Sequence, residues 1–172
     1  MKPLIHPSAR PEARRQAMIK DLAANRLPSA FLYESSAQSQ RWLAVHRAFS
    51  PFINDSSCRA LYDWIAARAA DRITESNVHV VGLGCGSGAK DSMLLEKLNT
   101  PDYWPVDISQ GLVLEAVATS SAHSNHPLVL DLARAHDIGR FFDDQIPGDS
   151  RRVYTLFGLL PNFDPKTLLE QL

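Results

Sequence analysis

Gly82-Leu83-Gly84-Cys85-Gly86-Ser87-Gly88 places a glycine at every second position. Glycine lets a backbone turn sharply and approach a ligand with no Cβ between them. A helix opening beyond such a turn presents unpaired N–H groups. The chemistry this suits is the seating of a nucleotide-like ligand. A tight strand-to-helix turn with glycines for packing alone is the plainer reading, and four glycines at alternate positions argue against it. Asp107 follows about 20 residues later, where an acid holds a ribose hydroxyl pair. Asp131, farther on, suits an exocyclic adenine amine. Each acid precedes a helical pattern and is also a candidate N-cap. For Asp107 the ribose role comes first; for Asp131 the two roles weigh equally.

Two cofactor classes fit the loop. Gly84-x-Gly86-x-x-Ala89 matches the NAD pattern G-x-G-x-x-A. Gly82-x-Gly84-x-Gly86, followed by Pro105-Val106-Asp107-Ile108-Ser109, resembles the S-adenosylmethionine (SAM) loop and second strand of class I methyltransferases. Lys90 is the basic residue beside the loop, suited to a carboxylate or a phosphate. No Ser-His-Asp set, carboxylate pair or metal-ligand spacing stands out in the sequence. Cys85 reads as a small residue fitting a turn, not a nucleophile. His79 reads as a satisfied sheet residue, and His123 and His126 as solvent-facing. Arg10, Arg14 and Arg15 read as a solvated helix face.

The elements that must hold these residues change character near Ile73. Before it the pattern is helical, with no strand expected. Pro11 to Leu27 offers Ala17, Ile19, Leu22 and Ala23 for one face; Ser36 to Phe49 offers Trp42, Val45, His46 and Phe49. A third helix, capped by Asp55 or Ser56, repeats Leu61, Trp64, Ile65 and Arg68. Trp42, Trp64 and Phe49 are expected in a core against the sheet. After Ile73, strands at Val78–Val81, Tyr103–Val106, Leu128–Leu130 and Val153–Leu160 alternate with helices at Ala89–Leu98, Ser109–Thr119 and Leu132–Asp144. Such alternation predicts a parallel α/β sheet of about four strands with right-handed crossovers. The expected organisation is an N-terminal helical segment, 1–75, and a Rossmann-like ligand-binding domain, 76–172. The carboxyl ends of three successive strands then carry the loop, Asp107 and Asp131, the edge on which open α/β sheets bind ligands.

Four segments in order extend the resemblance: Leu27-Pro28-Ser29-Ala30-Phe31-Leu32-Tyr33, the loop with Lys90, Val106-Asp107-Ile108-Ser109, and Gly158-Leu159-Leu160-Pro161-Asn162-Phe163-Asp164-Pro165. Together they resemble the histidine-specific, SAM-dependent methyltransferases of the ergothioneine-pathway type. The resemblance implies a class I methyltransferase sheet with SAM held at Gly82, Gly84, Cys85, Gly86, Ser87 and Lys90. It further implies ribose contacts at Asp107 and Ile108, adenine contacts at Asp131 and Leu132, and an amino-acid-like substrate at Asn162. The implied reaction is methyl transfer to the amino nitrogen of histidine or a similar small amino acid. Two positions depart from the family. Gly82 stands where an acid often closes the first strand, and Phe49-Ser50-Pro51 replaces a Tyr-Pro segment. The family sheet has seven strands in the order 3-2-1-4-5-7-6. Against that length, the sequence reads as an N-terminal, cofactor-binding part without activity of its own. On that reading the strand at 153–160 is an exposed edge that pairs with a second copy or with the missing half.

Composition narrows the partners. Lys and Arg number 18 against 19 Asp and Glu, so duplex nucleic acid and anionic membranes are not expected ligands. No apolar run approaches the roughly 20 residues of a membrane span. Cys58 and Cys85 make neither a disulfide framework nor a zinc site. A soluble cytoplasmic protein is expected. An NAD-dependent oxidoreductase fragment and a non-catalytic methyltransferase-like module are the competing readings.

Overall fold

All six residues of β2 (Val78–Leu83) are buried, as a strand with parallel neighbours on both sides requires. In the computed structural model, which describes residues 1–27, 29–157, 166 and 169, β2 pairs in parallel with β3 (Asp102–Asp107) and with β6 (Arg151–Thr155). β3 also pairs with β5 (Leu128–Val129) and with β4 (Ser124–Asn125). β5 pairs with β1 (Leu4–Ile5), giving the order β1-β5-β3-β2-β6. Every pairing is parallel, and the fold is the α/β, Rossmann-like sheet the alternation implies. Two short strands, β1 and β4, add to the expected four. A two-residue strand carries no period-2 signal, so neither is visible in composition.

The helices are α1 (Pro11–Ala23), α2 (Ser36–Phe49), α3 (Pro51–Asn54), α4 (Ser56–Ala70), α5 (Ala89–Leu95), α6 (Gln110–Thr119) and α7 (Ile138–Gln145). The caps follow the sequence. The Asp55 carboxylate accepts from the N–H groups of Ser57 and Cys58. Ser35 and Gln38 form a reciprocal capping box on α2, and Ser109 Oγ accepts from Leu112 N on α6. The expected helix over 132–144 is shorter. Residues 132–134 form a turn, and Gly139 lies inside α7 instead of interrupting it.

Alternation along the strands splits the core in two. Val81, Leu83, Trp104, Val106, Leu128 and Leu130 pack with Ile138, Phe142 and Ile146 of the α7 region. Val78, Val80 and Tyr103 pack on the opposite face with Ala66, Leu94, Leu95 and Ala116. The N-terminal helices contribute less apolar surface than their sequence suggests. Phe49 is 79% exposed and Trp64 61% exposed, against expectation. Leu61, Ile65, Ile19 and Leu22 also face outward. α4 instead turns its small residues inward: Ala66 is buried and Ala69 and Ala70 pack on the same cluster. Alanines let the helix approach the neighbouring α5 closely, and a Trp64 face would hold it off.

β6 stands last in the strand order and ends at Thr155, short of the predicted Leu160; residues 158–160 lie outside the described residues. Among the described residues, no helix is long and apolar enough to cross a membrane.

Candidate functional site

The chain leaves β2 at Leu83 and turns through Gly84, Gly86 and Gly88, whose φ angles are +67°, +54° and +73°. These are left-handed conformations that favour glycine. Both Gly84 N and Cys85 N donate to Val106 O, at 2.8 and 3.0 Å, so the turn is fastened to the end of β3. Thr119 Oγ1 donates to Ser87 O from α6 at 2.8 Å. A Cβ on Gly88 would lie 2.9 Å from the Ala116 Cα, so glycine is also needed for helix contact there. The glycine spacing therefore serves backbone geometry at each turn position.

Asp107 lies at the end of β3, beneath the loop, and is buried. Its Oδ2 accepts from Gly86 N at 3.2 Å and its Oδ1 from Ser109 N at 3.0 Å. Burial pushes this carboxyl up to about 6, while N–H groups of Ser109, Gly86 and Ile108 pull the other way. Asp107 is thus both a clamp on the loop and the start of α6. Its backbone oxygen accepts from Leu130 N at 3.0 Å, which joins the ends of β3 and β5.

Asp131, just past β5, is buried and already engaged. Oδ1 accepts from Ala133 N at 3.0 Å and Oδ2 from Arg134 Nη1 at 3.1 Å. Ser8 Oγ accepts from its backbone N at 3.1 Å. Arg134 continues to Asp21 on α1, and Arg26 also meets Asp21, at 3.1 Å. These guanidinium groups hold the Asp21 carboxyl below its usual range, Arg26 foremost. Asp131 therefore ties the N-terminal segment to the ligand edge of the sheet. Leu132 beside it is buried and Ile108 half-buried. Asn162 lies outside the described residues.

An aromatic roof covers the loop, and its roles were not legible in the sequence. The Trp42 ring of α2 reaches to 3.0 Å from where a Gly86 Cβ would stand. It stacks on His46 with centroids 4.9 Å apart, and Tyr33 meets its edge at 6.5 Å. Burial, then the Asp107 charge, raises the Tyr33 hydroxyl's pKa. Burial, then Lys90, lowers that of His46. Lys90 Nζ sits 4.9 Å from the Tyr62 centroid and 5.7 Å from that of Phe52, a cation–π setting that holds an ammonium without neutralising it. The spacing of Trp42 and His46, one helical turn apart, is the signal that could have paired them. Cys85 is half-buried and burial raises its thiol's pKa, as a packing residue requires.

Below the loop lies a second buried acid. Asp91, in the first turn of α5, accepts from Tyr103 Oη and Thr155 Oγ1, both at 2.6 Å. A Cβ on Gly82 would collide with its carboxylate. Gly82, the position where the family often has an acid, thus makes room for an acid arriving from α5. Arg14, expected on a solvated face, instead pairs with Glu34 at 3.2 Å, and its Nε and Nη2 are buried without hydrogen-bond partners. It lines a cleft of about 650 Å³ with Ser39, Ser109, Gly111 and Val129 beside the α6 N-terminus.

The arrangement is a backbone cradle with no side chain of its own at three turn positions, an acid behind it and a cation in front. It can seat a nucleoside with a charged tail. A search of curated proteins finds no match to the chain. The four-strand order β5-β3-β2-β6 with its glycine turn is the class I methyltransferase arrangement the sequence resembles, and a family model agrees: residues 15–172 match that of the histidine-specific, SAM-dependent methyltransferases, and the chain belongs to that family.

Proposed function

We propose that this protein binds SAM across the glycine turn and serves methyl transfer to the amino nitrogen of histidine or a closely similar amino acid. The observation that carries the reading is the fastening of the loop to Asp107. In this reading the same carboxylate that accepts from Gly86 N also meets the ribose. A carboxylate offers about four acceptor directions, so capacity remains for a sugar hydroxyl beyond the backbone N–H groups. The space a Cβ would fill is taken by the Trp42 ring at Gly86 and by Ala116 and Thr119 at Gly88, so the fit to the cofactor rests on the Asp107 carboxylate and its remaining acceptor directions.

In this reading Gly82, Gly84, Cys85, Gly86 and Ser87 shape the cradle. Lys90 meets the carboxylate of the methionine tail. Asp107 and Ile108 hold the ribose, and Leu132 packs by the adenine. Asp131 lends its remaining acceptor directions to the base while keeping Arg134 in place. Asn162 orients the amino-acid substrate through its amide. SAM supplies a methyl group already activated by a positive sulfur. What the chain contributes is alignment and the exclusion of water from the amine lone pair. Trp42, His46 and Tyr33 provide a roof for that purpose, and the proton that the acceptor nitrogen gives up passes to solvent.

The test is turnover with SAM and L-histidine, following S-adenosylhomocysteine by chromatography and the methylated product by mass spectrometry. The expected result is S-adenosylhomocysteine formation that depends on histidine and falls in Asn162→Ala, in contrast to the inactivity expected of an N-terminal part alone. Cofactor binding with no product from histidine or any other amino acid would remove the assigned acceptor.

A further inference from the structure

The amino-terminal edge of the sheet, opposite the glycine turn, gathers three metal-ligating side chains. His79 is the second residue of β2, Asp102 the first of β3, and His126 follows β4. Parallel register sets them together: His79 pairs with Asp102, and Asp102 with Ser124. Asp102 Oδ2 lies 3.8 Å from His79 Nδ1 and 3.3 Å from His126 Nε2. One ligand atom from each residue lies within 4.8 Å of the other two. His79 is buried, whereas Asp102 and His126 are half-buried, so one side of the cluster opens to solvent. At about 3.3 Å per residue, the strand separates this cluster from the glycine turn by roughly 16 Å.

We infer that His79, Asp102 and His126 form a binding site for a zinc-class divalent cation, with a fourth position left to water. Two imidazoles and one carboxylate suit Zn²⁺; Mg²⁺ and Ca²⁺ prefer all-oxygen sites. Zinc bonds of about 2.0–2.2 Å place tetrahedral donors roughly 3.4 Å apart. The Asp102–His126 separation meets that spacing. The widest separation, at most 4.8 Å, closes by up to about 1.4 Å through His126, the more exposed imidazole, carried on the short segment between β4 and β5. Trp104 frames the site. Its Nε1–H donates to His79 Nδ1 at 3.2 Å, and its ring stacks on His126 with centroids 4.6 Å apart. The cation takes the lone pair which that N–H now occupies, so metal binding and the Trp104 hydrogen bond exclude one another. Trp104 becomes the reporter of occupancy.

The experiment is calorimetric titration of the untagged protein with Zn²⁺, alongside Ni²⁺ quenching of tryptophan emission. One site of micromolar affinity or better is expected, with Ni²⁺ quenching relieved by Zn²⁺. His126→Gln and Asp102→Asn should each weaken zinc at least about tenfold and reduce the quenching. Circular dichroism of His126→Gln, altered at a half-exposed side chain, establishes that the fold is kept. Absence of zinc binding by the wild-type protein, or equal binding by folded His126→Gln, would overturn the assignment. Equal binding would place the ion on exposed histidines such as His123 or His136.

Discussion

Replacing Asp91 by Asn should stabilise the protein at neutral pH, although Asp91 makes two 2.6 Å hydrogen bonds. Burial pushes its carboxyl up to about 6 from 3.8, overcoming the hydroxyl donors of Thr155 and Tyr103 and the charge of Lys90. An acid with a native pKa above its unfolded value holds its proton more tightly when folded. Stability therefore falls as pH rises from about 4 to about 6, and the loss is complete above that window. Two units at about 1.4 kcal/mol each put the loss near 3 kcal/mol at pH 7.5, and about 1 kcal/mol at pH 4.5. Asparagine keeps the shape. Its carbonyl can accept from Tyr103 Oη and its amide can donate to Thr155 Oγ1, so no buried polar atom is orphaned. Urea unfolding of both proteins at the two pH values is the assay. Asp91→Asn is expected to gain about 2–3 kcal/mol at pH 7.5, a rise in Tm of roughly 5–10 °C for a chain of this size, and to lose most of that gain at pH 4.5. A variant less stable than the wild type at pH 7.5, or a difference independent of pH, would refute the reasoning.

Other perturbations address the loop and its attachments. Gly88→Ala combines a left-handed φ with a Cβ 2.9 Å from Ala116 Cα, and should cost about 2–3 kcal/mol by urea unfolding; a neutral effect would mean the turn relaxes freely. Lys90→Met preserves the packing on Phe52 and Tyr62 and removes the charge. It should weaken S-adenosylhomocysteine about tenfold by calorimetry, and unchanged affinity would separate Lys90 from the ligand's carboxylate. Asp21→Ala strips Arg134 of its partner on α1 and should lower the urea midpoint; the loss should persist in about 1 M salt, and a loss that disappears there would mark the pair as a screened surface contact.

What could be read from the sequence divides by range. The glycine turn, the caps at Asp55 and Ser109, and the end of β3 at Asp107 are local signals, and the structure places each as expected. The parallel sheet follows from strand–helix alternation, while the order of its strands was implied by the resemblance to class I methyltransferases. Contacts fixed by distant packing were not legible. Nothing near Trp42 says that its ring lies over Gly86, since the approach depends on how α2 meets the sheet. Nothing near Asp131 announces Asp21, more than a hundred positions away, joined through Arg134. His79 reads correctly as a satisfied sheet residue, with Trp104 as its donor. His126, expected in solvent, instead stacks on that same Trp104. Amphipathic patterning misplaced Trp64, because α4 packs through alanines and leaves its large residues outside, and it misplaced Phe49, which is exposed at the end of α2.

Direct titration of S-adenosylhomocysteine into the wild-type protein and Asp107→Ala tests the central claim most closely. One site of micromolar affinity is expected for the wild type, at least about tenfold weaker in the variant, with no heat from NAD. Wild-type protein that takes NAD and ignores S-adenosylhomocysteine, or a folded Asp107→Ala that binds it undiminished, would contradict a nucleoside held between the glycine turn and that carboxylate.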